Sequence, residues 1–222
     1  SSYFTPKCIT VNGTTHIERG RLDLLATGNG GKGIDSSDTL FIGCQGDDFI
    51  PEDSLLVYVE TKGTALIDNF LEDYRRGCPK AIKADNDIEI YSGTLRLNTH
   101  GQGGEGIESK GSLRAYHATI MADCYDDGIN TGQRFVCYGA HIYYLSHHND
   151  GIDSNGKCSI HDGIVAAISE DYMNESIDTE SGKLYLYGGQ MIGIGGDGVQ
   201  IGLASTIPYY STVSSYPKQY TT

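Results

Sequence analysis

Acidic residues recur beside glycine and an aliphatic residue along this chain of 222 residues. The stretches YDDGINTG (125–132) and HNDGIDSNG (148–156) show the pattern most clearly. Carboxylate oxygens at this density suit Ca²⁺, so the sequence predicts a calcium site. The alternative is that Asp and Asn beside Gly only form turns, because they bond their own backbone. The candidate ligands are Asp126, Asp127, Asp150, Asp153, Glu175 and Asp178.

The acidic motifs recur at a regular spacing, which indicates an internal repeat. Alignment of the motif copies on their aliphatic residue gives intervals of 22–25 residues, except for a first interval of 48, which is two periods. That first interval contains an irregular segment at about 46–77, in which we predict one degenerate repeat with a loop or short helix added. The aligned residues are Ile34, Ile82, Ile107, Ile129, Ile152, Ile177 and Val199.

Each period holds three short segments in which apolar and polar residues alternate, separated by glycine and polar residues. Such alternation over four or five residues is typical of β-strands, and the leucine-dense consensus of a leucine-rich repeat is missing. The sequence therefore predicts an all-β, right-handed parallel β-helix solenoid with about 22–25 residues per coil. We expect one domain over 1–222, with an insertion at about 46–77 and a C-terminal cap or tail at about 203–222.

In a solenoid, equivalent residues of successive coils stack into rows. The row two residues after the aligned aliphatic holds small hydroxyl residues, which we expect to point inward and bond along the stack. Two other rows, one residue after and two residues before the aliphatic, carry eight acids and no base in the last five coils. Like charges on neighbouring strands destabilise a sheet, so these rows favour a bound cation.

An aromatic row lies nine residues after the aligned aliphatic: Tyr91, Tyr116, Tyr138, His161 and, with one inserted residue, Tyr187. The residues just before them are predicted to point inward, so the rings face outward, with Arg114 in the adjacent outward position. Exposed aromatic rings stack on sugar rings, and a row of them suits a linear polysaccharide. The alternatives are that the tyrosines favour strands and stack on one another, or that the insertion at about 46–77 covers them.

Composition and charge limit the classes of partner. The net charge of −13 disfavours nucleic acid and anionic membrane surfaces, and no apolar run approaches the length of a membrane span. The six cysteines show no CxxC spacing, which argues against zinc. Cys137 and Cys158 are predicted to point inward as small buried groups, whereas a disulfide among Cys8, Cys44, Cys78 and Cys124 stays open.

Motifs of known catalytic chemistry are missing, because the sequence has no GxSxG, HExxH or P-loop. We therefore predict no catalytic residue. A polysaccharide lyase on this fold would need Ca²⁺ and a basic side chain as the proton acceptor. The candidates for that base are Lys83, Arg96, Lys110 and Arg114.

The repeated motifs GKGIDS, GEGIESKGSL, DDGINTG and NDGIDSNG resemble those of the carbohydrate-binding domain-containing family, over roughly residues 9–205. That family comprises secreted or surface-anchored bacterial proteins with a right-handed parallel β-helix related to polysaccharide lyases. The resemblance implies polysaccharide binding, acidic sugars included, with bound calcium and no established lyase activity. Only the acids of DDGI and NDGID match well enough to carry the calcium expectation over.

The sequence thus predicts a noncatalytic carbohydrate-binding or adhesion module that is extracellular or on a bacterial cell surface, with a polysaccharide as partner and calcium as a stabilising ion. Two alternatives stay open: a calcium-dependent polysaccharide lyase, and a structural spacer within a larger surface protein.

Overall fold

The computed structural model describes residues 5–45, 55–67, 75–179, 183–196 and 212–217. For residues 67, 75–76 and 212–217 it describes the backbone alone. All regular structure in these ranges is β-strand, and nearly all strand pairs are parallel. The prediction of an all-β, parallel solenoid is confirmed.

The strands lie on three faces. The first face is a seven-stranded sheet made of β1 (Lys7–Val11), β4 (Lys32–Ser36), β9 (Lys80–Ala84), β12 (Glu105–Ser109), β15 (Ile129–Thr131), β17 (Ile152–Ser154) and β19 (Ile177–Thr179).

Two long strands bend from the second face to the third, and these are β16 (Phe135–Ser146) and β18 (Cys158–Ser169). Besides their first halves, the second face holds β2 (Thr15–Ile17), β5 (Leu40–Ile42), β10 (Ile88–Ile90), β13 (Leu113–Ala115) and β20 (Leu184–Leu186). Besides their second halves, the third face holds β3 (Arg21–Ala26), β6 (Leu56–Thr61), β11 (Thr94–Thr99), β14 (Thr119–Cys124), β21 (Gln190–Gly195) and β22 (Thr212–Pro217).

One strand from each face makes one coil, so that β4, β5 and β6 form the second coil and β9, β10 and β11 form the third. The strand pairing corrects the predicted extra coil in the 48-residue interval. Ile34 pairs directly with Ile82, so these residues lie in neighbouring coils. The additional residues instead lie in the connections from β5 to β6 and from β6 to β9, and the second of these contains the antiparallel pair β7 (Leu66–Ile67) and β8 (Arg75–Arg76).

The core is filled by inward rows, as the alternation predicts. The aligned isoleucines from Ile34 to Ile177 are fully buried. The hydroxyl row behind them is buried too, and the Thr131 hydroxyl donates to Ser154 Oγ in the next coil at 3.2 Å. Cys137 and Cys158 are buried in the core, and all six cysteines are free thiols, so the disulfide left open by the sequence does not form.

The glycine of the DDGI motif permits a close approach. A Cβ on Gly128 would lie 2.5 Å from the carbonyl oxygen of Gly151 and 2.8 Å from the ring of Tyr144. Tyr144 projects into the core from the third face and is almost fully buried. Gly128 therefore leaves the space into which this large side chain packs. Within the described ranges, no helix has the length and apolar character needed to cross a membrane.

Candidate functional site

Seven aromatic side chains form a continuous ladder along the second face. The predicted five, Tyr91, Tyr116, Tyr138, His161 and Tyr187, lie next to one another with ring centroids 4.6–5.2 Å apart. Two further rings extend the ladder towards the N-terminus, since His16 stacks on Phe41 at 4.7 Å and Phe41 lies 6.2 Å from Tyr91. We call these seven residues the aromatic ladder.

The rings of the aromatic ladder stack on one another, so most of their faces contact other rings and not solvent. Their interplanar angles are 5–32°, and most centroid separations are close to the strand spacing of about 4.8 Å. The rings of Tyr116, Tyr138 and His161, each with close neighbours on both sides, are therefore covered on both faces, and only their outer edges reach the surface. The edges remain accessible, as Tyr138 is 40% and Tyr187 is 45% exposed.

A polar cluster holds the middle of the aromatic ladder in place. Glu89 accepts hydrogen bonds from the hydroxyls of Tyr91 (3.0 Å) and Tyr116 (3.3 Å). Burial and the bond to Glu89 raise the pKa of Tyr91 to about 12, so its hydroxyl stays a donor. Arg114 lies beside them, but its Nη1 contacts Asp87 Oδ2 at 2.9 Å and Glu89 Oε1 at 3.1 Å. The predicted sugar ligand Arg114 is thus engaged by two carboxylates of the protein.

Three exposed cations flank the C-terminal half of the aromatic ladder. Arg134, Lys157 and Lys183 each precede a strand segment of the second face in three consecutive coils. None of them forms an ion pair with a carboxylate in the described part of the chain. Lys157 Nζ lies 5.7 Å from the ring centroid of Tyr185. We call these three residues the cation row.

The predicted metal ligands lie on the outer surface of the first face. Asp127 and Asp150 are unexpectedly buried, with 3% and 8% exposure, whereas Asp126, Asp153, Glu175 and Asp178 are half-buried. Glu105 belongs to the same row as Asp127 and Asp150 and is also buried. We call Glu105, Asp127, Asp150 and Glu175, one from each of four successive coils, the acid column.

Backbone hydrogen bonds explain how two of these acids are held. Asp127 Oδ1 accepts the N–H of Asp150 at 3.2 Å, and Asp150 Oδ1 accepts the N–H of Glu175 at 2.7 Å. Asp127 Oδ2 also accepts from Asn130 Nδ2 at 3.1 Å. Each carboxylate therefore links its coil to the next, which is a structural role close to the turn chemistry considered above.

The acid column carries charge that the protein only partly compensates. Burial and neighbouring carboxylates raise the pKa of Glu105 to about 7 and of Asp150 to about 8, and raise the pKa of Asp127 well above its usual range. Glu105 contacts Lys80 through Oε1, while its Oε2 is buried without a described hydrogen-bond partner. Towards the N-terminus the same face carries bases, because Lys80 and Lys83 occupy the rows that hold acids further along.

A preformed metal centre is not seen in the described residues, since no three His, Cys, Asp or Glu side chains there converge enough to hold an ion. The candidate lyase bases are largely engaged as well. Lys83 pairs with Asp85, Lys110 with Glu108, and Arg114 with Asp87 and Glu89. Arg96 lies exposed on the third face, away from both the aromatic ladder and the acid column.

Sequence reasoning missed two groups of residues at this site. His16 and Phe41 occupy the centre of their strands, two positions before the row that holds Tyr91, so alignment on the tyrosines passed over them. The cation row was also missed, although a base before an alternating segment recurs in RFVC, KCSI and KLYL. Both could have been found by aligning the second-face strands separately.

Comparison of the chain with protein-family models, with curated proteins and with solved structures gives no match. The features that bear on function are therefore the aromatic ladder, the cation row and the acid column.

Proposed function

We propose that this chain is a noncatalytic, extracellular or bacterial cell-surface module that binds a linear polysaccharide along its second face. The observation that carries the proposal is the cation row beside the exposed edges of Tyr138 and Tyr187. In a chain with a net charge of −13, three neighbouring cations that form no ion pair among the described residues favour an anionic partner. Acidic sugars of a polysaccharide supply regularly spaced charges that match such a row.

The space between the cation row and the aromatic ladder suits a chain of sugars. A hollow of about 240 Å³ opens there, lined by Arg134, Tyr138, Lys157, Tyr185 and Tyr187 among others. Tyr185 pairs with the small residue Ser159 in the preceding coil, and its ring lines this hollow. Sugar C–H groups can contact this ring while Lys157 and Arg134 bind carboxylates.

Calcium belongs to the proposal as a counter-ion for the acid column. Its support is the burial, and after it the repulsion between carboxylates, that raise the pKa values of Glu105, Asp127 and Asp150, together with the hard oxygen ligands that Ca²⁺ prefers. The motif resemblance to the carbohydrate-binding domain-containing family supports the same combination of a glycan ligand and calcium.

The proposal is tested by removing charge from the cation row. The variant Arg134→Ala/Lys157→Ala is compared with Lys62→Ala/Lys110→Ala, which loses the same charge at exposed positions outside the second face. Retention of each protein is measured on immobilised acidic and neutral polysaccharides at fixed salt and calcium. We expect at least tenfold weaker retention of the first variant on the acidic polymer and wild-type retention of the second.

Equal retention of the two double variants would show that the cation row does not bind the polymer. If neither the variants nor the wild-type protein were retained on any glycan, the result would instead favour the hypothesis of a structural spacer.

A further inference from the structure

The aromatic ladder changes position between the second and third coils. Phe41 pairs across the sheet with Glu89, whereas Tyr91 lies two residues further along. The two rings are nearly parallel, at 5°, but their centroids are 6.2 Å apart. With neighbouring strands about 4.8 Å apart, the rings are displaced sideways by about 4 Å. Phe41 therefore covers only part of the Tyr91 ring.

Gly43 leaves the rest of that ring uncovered. It follows Ile42, which pairs with Ile90, so Gly43 is the residue of the second coil opposite Tyr91. Its φ of +82° disfavours any side chain, and a Cβ would lie 2.5 Å from the backbone nitrogen of Ser92. No described side chain of the second coil therefore covers this part of the Tyr91 ring, which lines an open space.

That space is a hollow of about 530 Å³ at the N-terminal part of the aromatic ladder. This volume lies within the usual range for small-ligand sites. Its aromatic walls are His16, Phe41 and Tyr91, and its polar lining includes Glu18, Arg19 and Gln45. The hollow thus combines a flat apolar surface with groups that donate and accept hydrogen bonds.

The geometry points to a second saccharide site in this hollow, which takes a single pyranose unit or the end of a short oligosaccharide. The C–H face of the sugar ring contacts the uncovered face of Tyr91, and Glu18 and Gln45 bind hydroxyl groups. The site rests on the proposed glycan-binding function but is separate from the cation row, which begins two coils further along.

The Tyr91 side chain is fixed in position before a ligand binds. Its hydroxyl donates to Glu89, which is fixed in turn by Arg114, and Tyr116 supports its other face at 5.2 Å. A ring fixed in this way loses little conformational freedom on binding, which favours affinity.

The experiment compares two ladder tyrosines that differ in how closely neighbouring rings cover their faces. Saturation-transfer NMR is recorded with cellobiose and with digalacturonate as probes, on wild type, Tyr91→Leu and Tyr116→Leu. Both variants lose ring stacking, but only Tyr91 has an uncovered face. We expect transfer to at least one probe in wild type and Tyr116→Leu, and at least a fivefold loss in Tyr91→Leu. The variant Glu18→Gln/Gln45→Ala, which keeps every ring, is expected to weaken transfer as well.

The outcomes separate this site from the polysaccharide surface. The second site is overturned if neither probe shows transfer in wild type, even if the polymer is still retained. It is also overturned if transfer is equal in Tyr91→Leu, Tyr116→Leu and Glu18→Gln/Gln45→Ala. Transfer that survives in Arg134→Ala/Lys157→Ala, with polymer retention lost, supports two independent sites. Should Tyr91→Leu prove unfolded by circular dichroism, the Glu18→Gln/Gln45→Ala variant decides alone, and unchanged transfer in it overturns the site.

Discussion

The aromatic ladder and the acid column are built in the same way but have opposite energetic consequences. Each places one side chain per coil in an outward row, so each residue meets a near copy of itself about 4.8 Å away. Neighbouring rings attract, by about 0.5–1.5 kcal/mol per pair beyond their burial. Neighbouring carboxylates repel, and the raised pKa values of Glu105 and Asp150 record that repulsion together with burial.

This difference arises because a solenoid places equivalent residues of successive coils next to one another. Because the fold repeats each position, the interaction of a residue with its own kind is multiplied along the row. A row of rings stabilises the stack without any ligand, so its presence alone does not indicate binding. A row of buried acids opposes the stack at neutral pH, which makes it the feature that most needs a compensating partner.

The largest effect expected from this contrast is a loss of stability with rising pH. Glu105, Asp127 and Asp150 have raised folded-state pKa values, so between about pH 4 and 8 the folded state binds more protons than the unfolded state. Each such group lowers the unfolding free energy by up to about 1.4 kcal/mol per pH unit. In EDTA we expect a fall of several kcal/mol from pH 5 to pH 8, measured by urea unfolding.

Added calcium should reduce that loss if it binds the acid column, because a ligand of the folded state alone stabilises it. A stability that is flat or rises over this pH range would mean that the column is not under electrostatic strain.

The second largest effect concerns the aromatic ladder, in which neighbouring rings attract. Tyr116→Ala removes two stacking contacts and a hydrogen bond to Glu89. We expect the unfolding free energy to fall by roughly 1–3 kcal/mol. The control is Tyr143→Ala on the third face, where the tyrosine is 41% exposed and we expect a change within about 0.5 kcal/mol. Equal losses in the two variants would show that ring stacking adds little.

A substitution in the acid column should have the opposite sign. Asp127→Asn removes one charge but keeps an oxygen that can accept the N–H of Asp150. At pH 8 we expect a gain of about 1–2 kcal/mol in unfolding free energy, since one repulsive neighbour is lost. At lower pH the gain should shrink, because the raised pKa of Asp127 favours its uncharged form in the folded state. A loss of stability at pH 8 and at lower pH alike would assign the residue a purely structural role.

The smallest effect is expected at Arg114, which the sequence suggested as a sugar ligand. Its ion pairs with Asp87 and Glu89 are partly exposed, so Arg114→Gln should cost less than about 1 kcal/mol. Polysaccharide retention should stay unchanged, whereas Arg134→Gln should reduce it. Reduced retention in Arg114→Gln would show that the guanidinium leaves its carboxylates to bind the ligand.

The repeat could be predicted from the sequence because the glycines, isoleucines and hydroxyl residues obey one spacing. Its inward rows and five consecutive ladder rings followed directly. The burial of Asp127 and Asp150 could not be predicted, because it depends on the backbone N–H groups of the next coil that their carboxylates accept. The change of position at Phe41 was missed because the alignment was anchored on the first-face aliphatic residues, and only a separate alignment of the second-face strands would have placed Phe41 opposite Glu89.

The connection at 62–79, between β6 and β9, has a consequence for how the chain can be altered. The equivalent connection one coil later, at 100–104, is much shorter, yet both bring the chain back to the neighbouring rung in the same register. The entropic cost of closing the longer loop exceeds that of the shorter one by only about 1 kcal/mol. The ends of this connection contact neighbouring coils, since Thr64 O accepts from Gly30 N and Ala65 N donates to Gln102 O. The sequence between β7 and β8 is therefore the natural place to graft a foreign peptide, because rung pairing depends on the rows and not on the length of chain between them.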